Sequence, residues 1–130
     1  MSVSFLQRAD GPDLAYQIRN GENPALPAIV FFTGLRSDMQ GTKAVFLANA
    51  CTQAGQTYVR FDFRGHGASG GRFEDGTIGL WLEDALAVID KLTNGPLVLV
   101  GSSMGGWIAS TLVRLGDLTF EFLPPEDAQS

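Results

Sequence analysis

The sequence predicts one α/β domain on a mostly parallel sheet, opened by an antiparallel hairpin. Three observations point there. Short uninterrupted apolar runs read as strands covered on both faces. Between them, apolar residues return at helical spacing, and strands alternating with helices argue for parallel pairing. At the start, two strand-like segments flank a Gly11-Pro12 turn. A chain of 130 residues, 45% of them hydrophobic, holds one core of this kind and is too short for two ordinary domains.

Residues 3–8 and Leu14–Arg19 are the expected hairpin strands, because glycine and proline supply turn conformations that strands exclude. After a proline-punctuated loop, Ala28–Phe32 is a candidate central strand. Thr42–Ala54 carries Ala44, Leu47, Ala48, Cys51 and Ala54 at helical spacing, with Gly55 placed to stop the helix in a left-handed cap. Residues 57–63 are strand-like. Ile78–Leu92 repeats the helical rhythm, with Glu83 and Asp84 early and Lys91 late, as the helix dipole favours. Residues 97–100 form a short buried strand, 101–106 a turn of small residues, and 107–115 a last helix.

The formal net charge is −5, which argues against nucleic acid and anionic membrane as partners, since those surfaces are bound by clustered lysine and arginine. No apolar run approaches the roughly 20 residues that span a bilayer. The single cysteine, Cys51, cannot form an internal disulfide and sits among apolar helical positions, where a buried thiol is expected. The first residues show neither a signal-peptide apolar stretch nor an arginine-rich, acid-poor presequence, so a cytoplasmic location is expected.

Two segments match the G-x-S-x-G pattern, Gly101-Ser102-Ser103-Met104-Gly105 and Gly67-Ala68-Ser69-Gly70-Gly71, a cheap match with 16 glycines in the chain. A nucleophile on such a turn needs a strand running in and a helix running out. Ser103 has both; Ser69 is followed by loop. Gly65 to Gly70 also spells G-x-G-x-x-G, but no helix opens at its third glycine and no acidic residue closes a second strand, so dinucleotide binding is rejected. At Ser103 the elbow glycines Gly101 and Gly105 leave room for a strained backbone. Entry into a helix aims free N–H groups at the reacting centre, making the Met104 N–H one oxyanion donor. The Leu35 N–H, after the expected strand Ala28–Phe32, is the candidate for the second.

The segments Thr33-Gly34-Leu35-Arg36-Ser37-Asp38-Met39, Gly41-Thr42-Lys43-Ala44, Arg60-Phe61-Asp62-Phe63-Arg64-Gly65-His66-Gly67 and Gly101-Ser102-Ser103-Met104-Gly105-Gly106-Trp107 occur in one order. In that order they resemble the α/β-hydrolase superfamily, and within it the mitochondrial acyl-protein thioesterase and acyl-glucuronide esterase subgroup with its bacterial relatives. The likeness runs from about Leu14 to Leu112. It implies a partial α/β-hydrolase fold and hydrolysis of small acyl esters or thioesters, without cofactor or metal. It also implies Ser103 as nucleophile, with Leu35 and Met104 as backbone donors. Thr33 departs from the histidine of many superfamily members.

Serine needs a general base, and in this fold the order along the chain is serine, acid, histidine. No histidine follows Ser103, and the acid and histidine of a triad are expected to be missing from the chain. The sole histidine, His66, lies upstream in the glycine-rich loop, where the resemblance makes it structural; it is the weak candidate for a base. Residues 1–123 are expected to be a truncated hydrolase domain and 124–130 a polar tail. Two readings of its end stay open. Leu118, Phe120 and Phe122 alternate with polar residues and would add a strand beside 97–100; otherwise that strand is an open edge, prone to self-association. Two functions likewise stand: a serine acyl-hydrolase acting through Ser103, or a non-catalytic α/β fragment that binds a partner or an acyl ligand.

Overall fold

A computed structural model describes residues 3–115 together with Thr119 and Phe120. Its strands are β1 (Ser4–Leu6), β2 (Leu14–Arg19), β3 (Ala28–Phe32), β4 (Tyr58–Phe61), β5 (Leu97–Gly101) and β6 (Thr119–Phe120); its helices are α1 (Thr42–Ala54), α2 (Ile78–Leu92) and α3 (Met104–Leu115). One sheet holds all six strands in the order β1-β2-β4-β3-β5-β6. The hairpin β1–β2 is antiparallel, as is β2 with β4, whereas β4–β3, β3–β5 and β5–β6 are parallel. This is the α/β architecture the sequence predicts.

Alternation along β3 explains its unbroken apolar run. Val30 and Phe32 face a core shared with Trp81, Ala85 and Val88 of α2 and Met104, Ile108, Ala109 and Leu112 of α3. Phe31 points the other way, with Tyr58 and Val100, onto Ala44 and Cys51 of α1. β3 and β5 are therefore apolar along their length, because helices cover both faces, whereas β4 between β2 and β3 buries Arg60. Phe32, Phe61 and Phe63 form an aromatic knot in the first core, with the Phe61 and Phe63 centroids 4.8 Å apart and edge-on. Cys51 is buried, and burial raises its thiol pKa, which fits an inert core residue.

Gly55 closes α1 at φ 70, its N–H reaching the Cys51 and Thr52 carbonyls. Thr77 caps α2 by accepting the Leu80 N–H at 3.1 Å. Four expectations shift. β1 ends at Leu6, and Arg8 beyond it reaches Asp84 instead of extending the hairpin. β4 is shorter than 57–63, because the Asp62 side chain turns to serve two loops. α3 begins at Met104, not residue 107: glycine is a poor helix former, but here close packing overrides propensity. Asp84 does not serve the helix dipole; it is fully buried in an ion-pair cluster.

β5 is not an open edge along its middle, since Val98 pairs with Thr119 and Leu99 with Phe120. Leu118 and Phe122, the other apolar positions of that expected strand, lie outside the described residues, as does the tail at 124–130. Among the described residues, no helix is long and apolar enough to cross a membrane.

Candidate active site

β3 and β5 are parallel neighbours with Phe32 opposite Gly101, so the loops leaving them emerge side by side at the carboxyl edge of the sheet. Ser103 occupies the turn between β5 and α3. It is exposed, and its φ of 56 lies in the left-handed region that non-glycine residues avoid. The turn is held by the Ser102 N–H donating to Phe32 O at 3.1 Å and by the Gly105 N–H donating to Ser102 O at 2.9 Å. A Cβ on Gly105 would run into the Phe32 and Thr33 carbonyls, and one on Gly101 would meet the backbone of Gly105 and Gly106. Only glycine lets α3 begin so close to β3 and β5.

The loop after β3 abuts this turn. A Cβ built on Gly34 would stand 3.3 Å from the Ser103 Cβ. Gly34 opens a β-turn closed by the Ser37 N–H to Gly34 O at 3.0 Å, with Arg36 at φ 61, the signature of a type II turn. The Arg36 guanidinium stacks 4.2 Å over the Phe73 ring, pinning the turn to the loop before α2. Among the described residues, no protein acceptor engages the N–H of Leu35 or of Met104. The arrangement thus sets an exposed hydroxyl at a helix amino end beside a loop whose Leu35 N–H, like the Met104 N–H, has no protein acceptor.

His66 is placed elsewhere. It is 4% exposed, its Nδ1 lies 3.1 Å from Arg64 O, and Phe73 and Trp81 meet its ring edge-on at 5.3 and 5.4 Å. Its Nε2 is buried without a hydrogen-bond partner, so no bond joins it to Ser103. Ser69, rejected as a nucleophile, ties the hairpin to the glycine-rich loop. Its hydroxyl accepts the Ala15 N–H at 2.8 Å and donates to Asp62 O at 2.5 Å.

Two residues that support the site carry no local sequence signal. Asp62, 2% exposed, accepts the Met39 N–H at 2.7 Å and the Ala68 N–H at 2.9 Å, so one carboxylate ties the loop after β3 to the loop after β4. Burial raises its pKa, and the two amides offset this in part. The folded chain therefore holds the Asp62 proton more tightly than the unfolded chain does. Stability should fall as pH rises from the unfolded carboxylate value, near about 4, through the raised one. Urea midpoints measured across that window should decline with pH in the parent and flatten in Asp62→Asn; parallel slopes would refute the assignment. Arg36 is the second such residue, since its aromatic partner lies far along the chain.

A cavity of about 630 Å³ opens by Ala28, Thr57 and Pro96, at the starts of the parallel strands. It lies at the wrong end of the sheet for Ser103, because ligands of open α/β sheets bind outside the carboxyl ends. Among the described residues, no three His, Cys, Asp or Glu side chains are grouped to hold a metal ion.

The family described as serine aminopeptidase, S33 matches residues 23–119. Palmitoyl-protein thioesterase ABHD10, mitochondrial, of Bos taurus is 47% identical over 107 residues, 82% of this chain and 34% of that protein. Among solved structures, alpha/beta hydrolase domain-containing protein 10 from mouse superposes with a TM-score of 0.85 at 38% identity, covering 92% of this chain and 47% of the other. Est1E from Butyrivibrio proteoclasticus, solved with ferulic acid, gives 0.78 at 27% identity over 93% of this chain and 51% of that one. The fold is thus that of the α/β-hydrolases, and the chain spans about a third of the length of the curated relatives it matches. Their mitochondrial names overturn the expected cytoplasmic location. The composition of the first residues did not report an address.

Proposed function

The chain belongs to the serine aminopeptidase, S33 family, and from that membership we propose that it carries the nucleophile of a serine hydrolase, Ser103, for attack on acyl ester or thioester bonds. The observation that carries this reading is Ser103 itself: an exposed serine at φ 56, between a buried strand and a helix amino end. A strained conformation held there by two obligate glycines is of use when the hydroxyl must project from the rim. The relatives named as thioesterases favour an acyl thioester, and a carbonyl attacked by serine is common to peptidase and thioesterase chemistry.

In this reading Ser103 Oγ bonds to the acyl carbon, and the carbonyl oxygen takes the negative charge between the Leu35 and Met104 N–H groups. The bond to the leaving sulfur or oxygen then breaks, and water releases the acyl group from Ser103. Gly101 and Gly105 hold the turn. His66, enclosed by aromatic rings, makes no bond to Ser103, so the Oγ proton passes to solvent water and from water a proton reaches the departing sulfur or oxygen. An oxyanion hole with no base still leaves roughly 10³-fold over water in a serine protease stripped of its triad, so slow chemistry is expected of the chain alone.

The test is a fluorophosphonate probe on the purified chain. Slow labelling is expected, reduced to background in Ser103→Ala and unchanged in Ser69→Ala. No labelling of the parent chain, or labelling that survives Ser103→Ala, would defeat the proposal. The first of those results would favour the competing reading, a non-catalytic fragment that binds.

A further inference from the structure

We propose that the cavity at the amino end of α1 binds an oxyanion group, a phosphate or a carboxylate, of a ligand seated beside the elbow. The cavity measures about 130 Å³ and lies between the carboxyl end of β3 and the first turn of α1, with Ser102 on its far wall. That volume is about four times the share of one water in the liquid, the size of a phosphate or a hydrated carboxylate rather than of a chain.

Three features of its lining favour an anion. The first-turn N–H groups of a helix have no intrahelical partner, and the N-cap of α1, Gly41, has no side chain to satisfy them. No acidic residue occupies that first turn, and the positive end of a 13-residue helix faces the cavity. Thr33 supplies the independent sign. It is 1% exposed, yet its Oγ1 has no hydrogen-bond partner. One residue past β3, it shares the face of Phe31, the face turned toward α1, and both line the cavity. A buried hydroxyl without a protein partner calls for an acceptor, which an anion oxygen in this cavity supplies.

The fixed charges set the strength. Asp38 stands at the rim, its Oδ1 occupied by the Gln40 N–H at 2.8 Å, and Lys43 lines the same cavity. The helix end and the hydroxyls of Thr33 and Ser37, which line the same cavity, select the ligand. Affinity in the millimolar range is expected for a lone anion.

The inference does not depend on Ser103, because binding is read directly. The full chain, labelled with ¹⁵N, is titrated with inorganic phosphate, with acetate, and with chloride at matched ionic strength. Saturable amide shifts are expected at Thr33, Ser37 and residues 41–44 with phosphate or acetate and not with chloride; the stronger of the two identifies the group. Thr33→Val should weaken binding roughly tenfold, one charge-assisted hydrogen bond, and Thr33→Ser should retain it. Valine removes only the unpartnered hydroxyl, so the remaining spectrum should stay in place. Gly41→Ser, which caps the helix from within, should also weaken binding. Shifts that fail to saturate, that chloride reproduces, or that Thr33→Val leaves unchanged would show a cavity holding water alone.

Discussion

Gly105→Ala should lower the stability of the chain by about 3 kcal/mol or more, near or beyond the upper end for an overpacked core, while Gly106→Ala, one residue on, should not. The two glycines share a helix turn and differ in what a methyl group would touch. At Gly105 the new Cβ overlaps the Phe32 and Thr33 carbonyls, which belong to the end of the central strand and cannot swing aside as a side chain would. At Gly106 the nearest heavy atom is Gly101 O at 3.4 Å, an ordinary contact. There alanine removes the backbone freedom of glycine in the unfolded chain and should stabilise α3 by up to about 1 kcal/mol. Urea denaturation of the two variants makes the comparison. Equal midpoints would mean that α3 is not seated on β3 as described. Because Ser103 lies between the two glycines of the turn, Gly105→Ala should also lose fluorophosphonate labelling where the protein remains folded, the strained turn having moved with the helix.

The elements legible in the sequence are those whose signal is local. β2, β3, α1 and α2 have the expected bounds because an unbroken apolar run or a 3.6-residue rhythm is written within each segment. The strand and the small-residue turn around Ser103 were legible for the same reason, being consecutive in the chain, whereas Ser69 is followed by loop. The start of α3 was not, since Gly105 and Gly106 read as breakers until β3 is seen beside them. Asp84 was misread because its position suggests the helix dipole, whereas its partners, Arg8 and Arg64, lie 76 and 20 residues away in the chain. Asp62, Arg36 and Thr33 share this cause. Each is a polar residue whose meaning is a contact made across the fold, and no spacing rule reports such contacts. The family resemblance carried Ser103, Leu35 and Met104 onto adjoining loops, but it gave Thr33 only as a departure, not as an unpartnered hydroxyl on a cavity wall.

Asp84→Ala should be the most damaging change of a charged side chain, lowering stability by about 3 to 5 kcal/mol. Asp84 is fully buried, and its carboxylate meets Arg8 NH1 at 2.7 Å, Arg64 Nε at 2.9 Å and the Arg64 N–H at 2.8 Å. Arg64 NH2 is also 2.8 Å from Oδ1 but off the hydrogen-bond direction, so Nε makes the better bond. The two arginine side chains are each 11% exposed. Removing the carboxylate strands two largely buried guanidinium groups, Arg64 keeping only the exposed Glu83 at 3.9 Å, a larger loss than the pair contributed when intact. It also releases three parts of the fold at once: the segment after β1, the loop after β4 and helix α2. Asp84→Asn should be milder, since the amide keeps one acceptor for the Arg64 N–H, yet still clearly destabilising. Glu74→Ala is the control. Its partner, Arg72, lies at 3.0 Å, but both side chains are largely in solvent, and loss of such a pair should leave the urea midpoint unmoved. If Asp84→Ala and Glu74→Ala shift the midpoint equally, the buried cluster is not what fastens α2 to the hairpin. Added salt separates the two further: screening acts on the exposed pair and hardly reaches the buried one, so the deficit of Asp84→Ala should persist at high ionic strength.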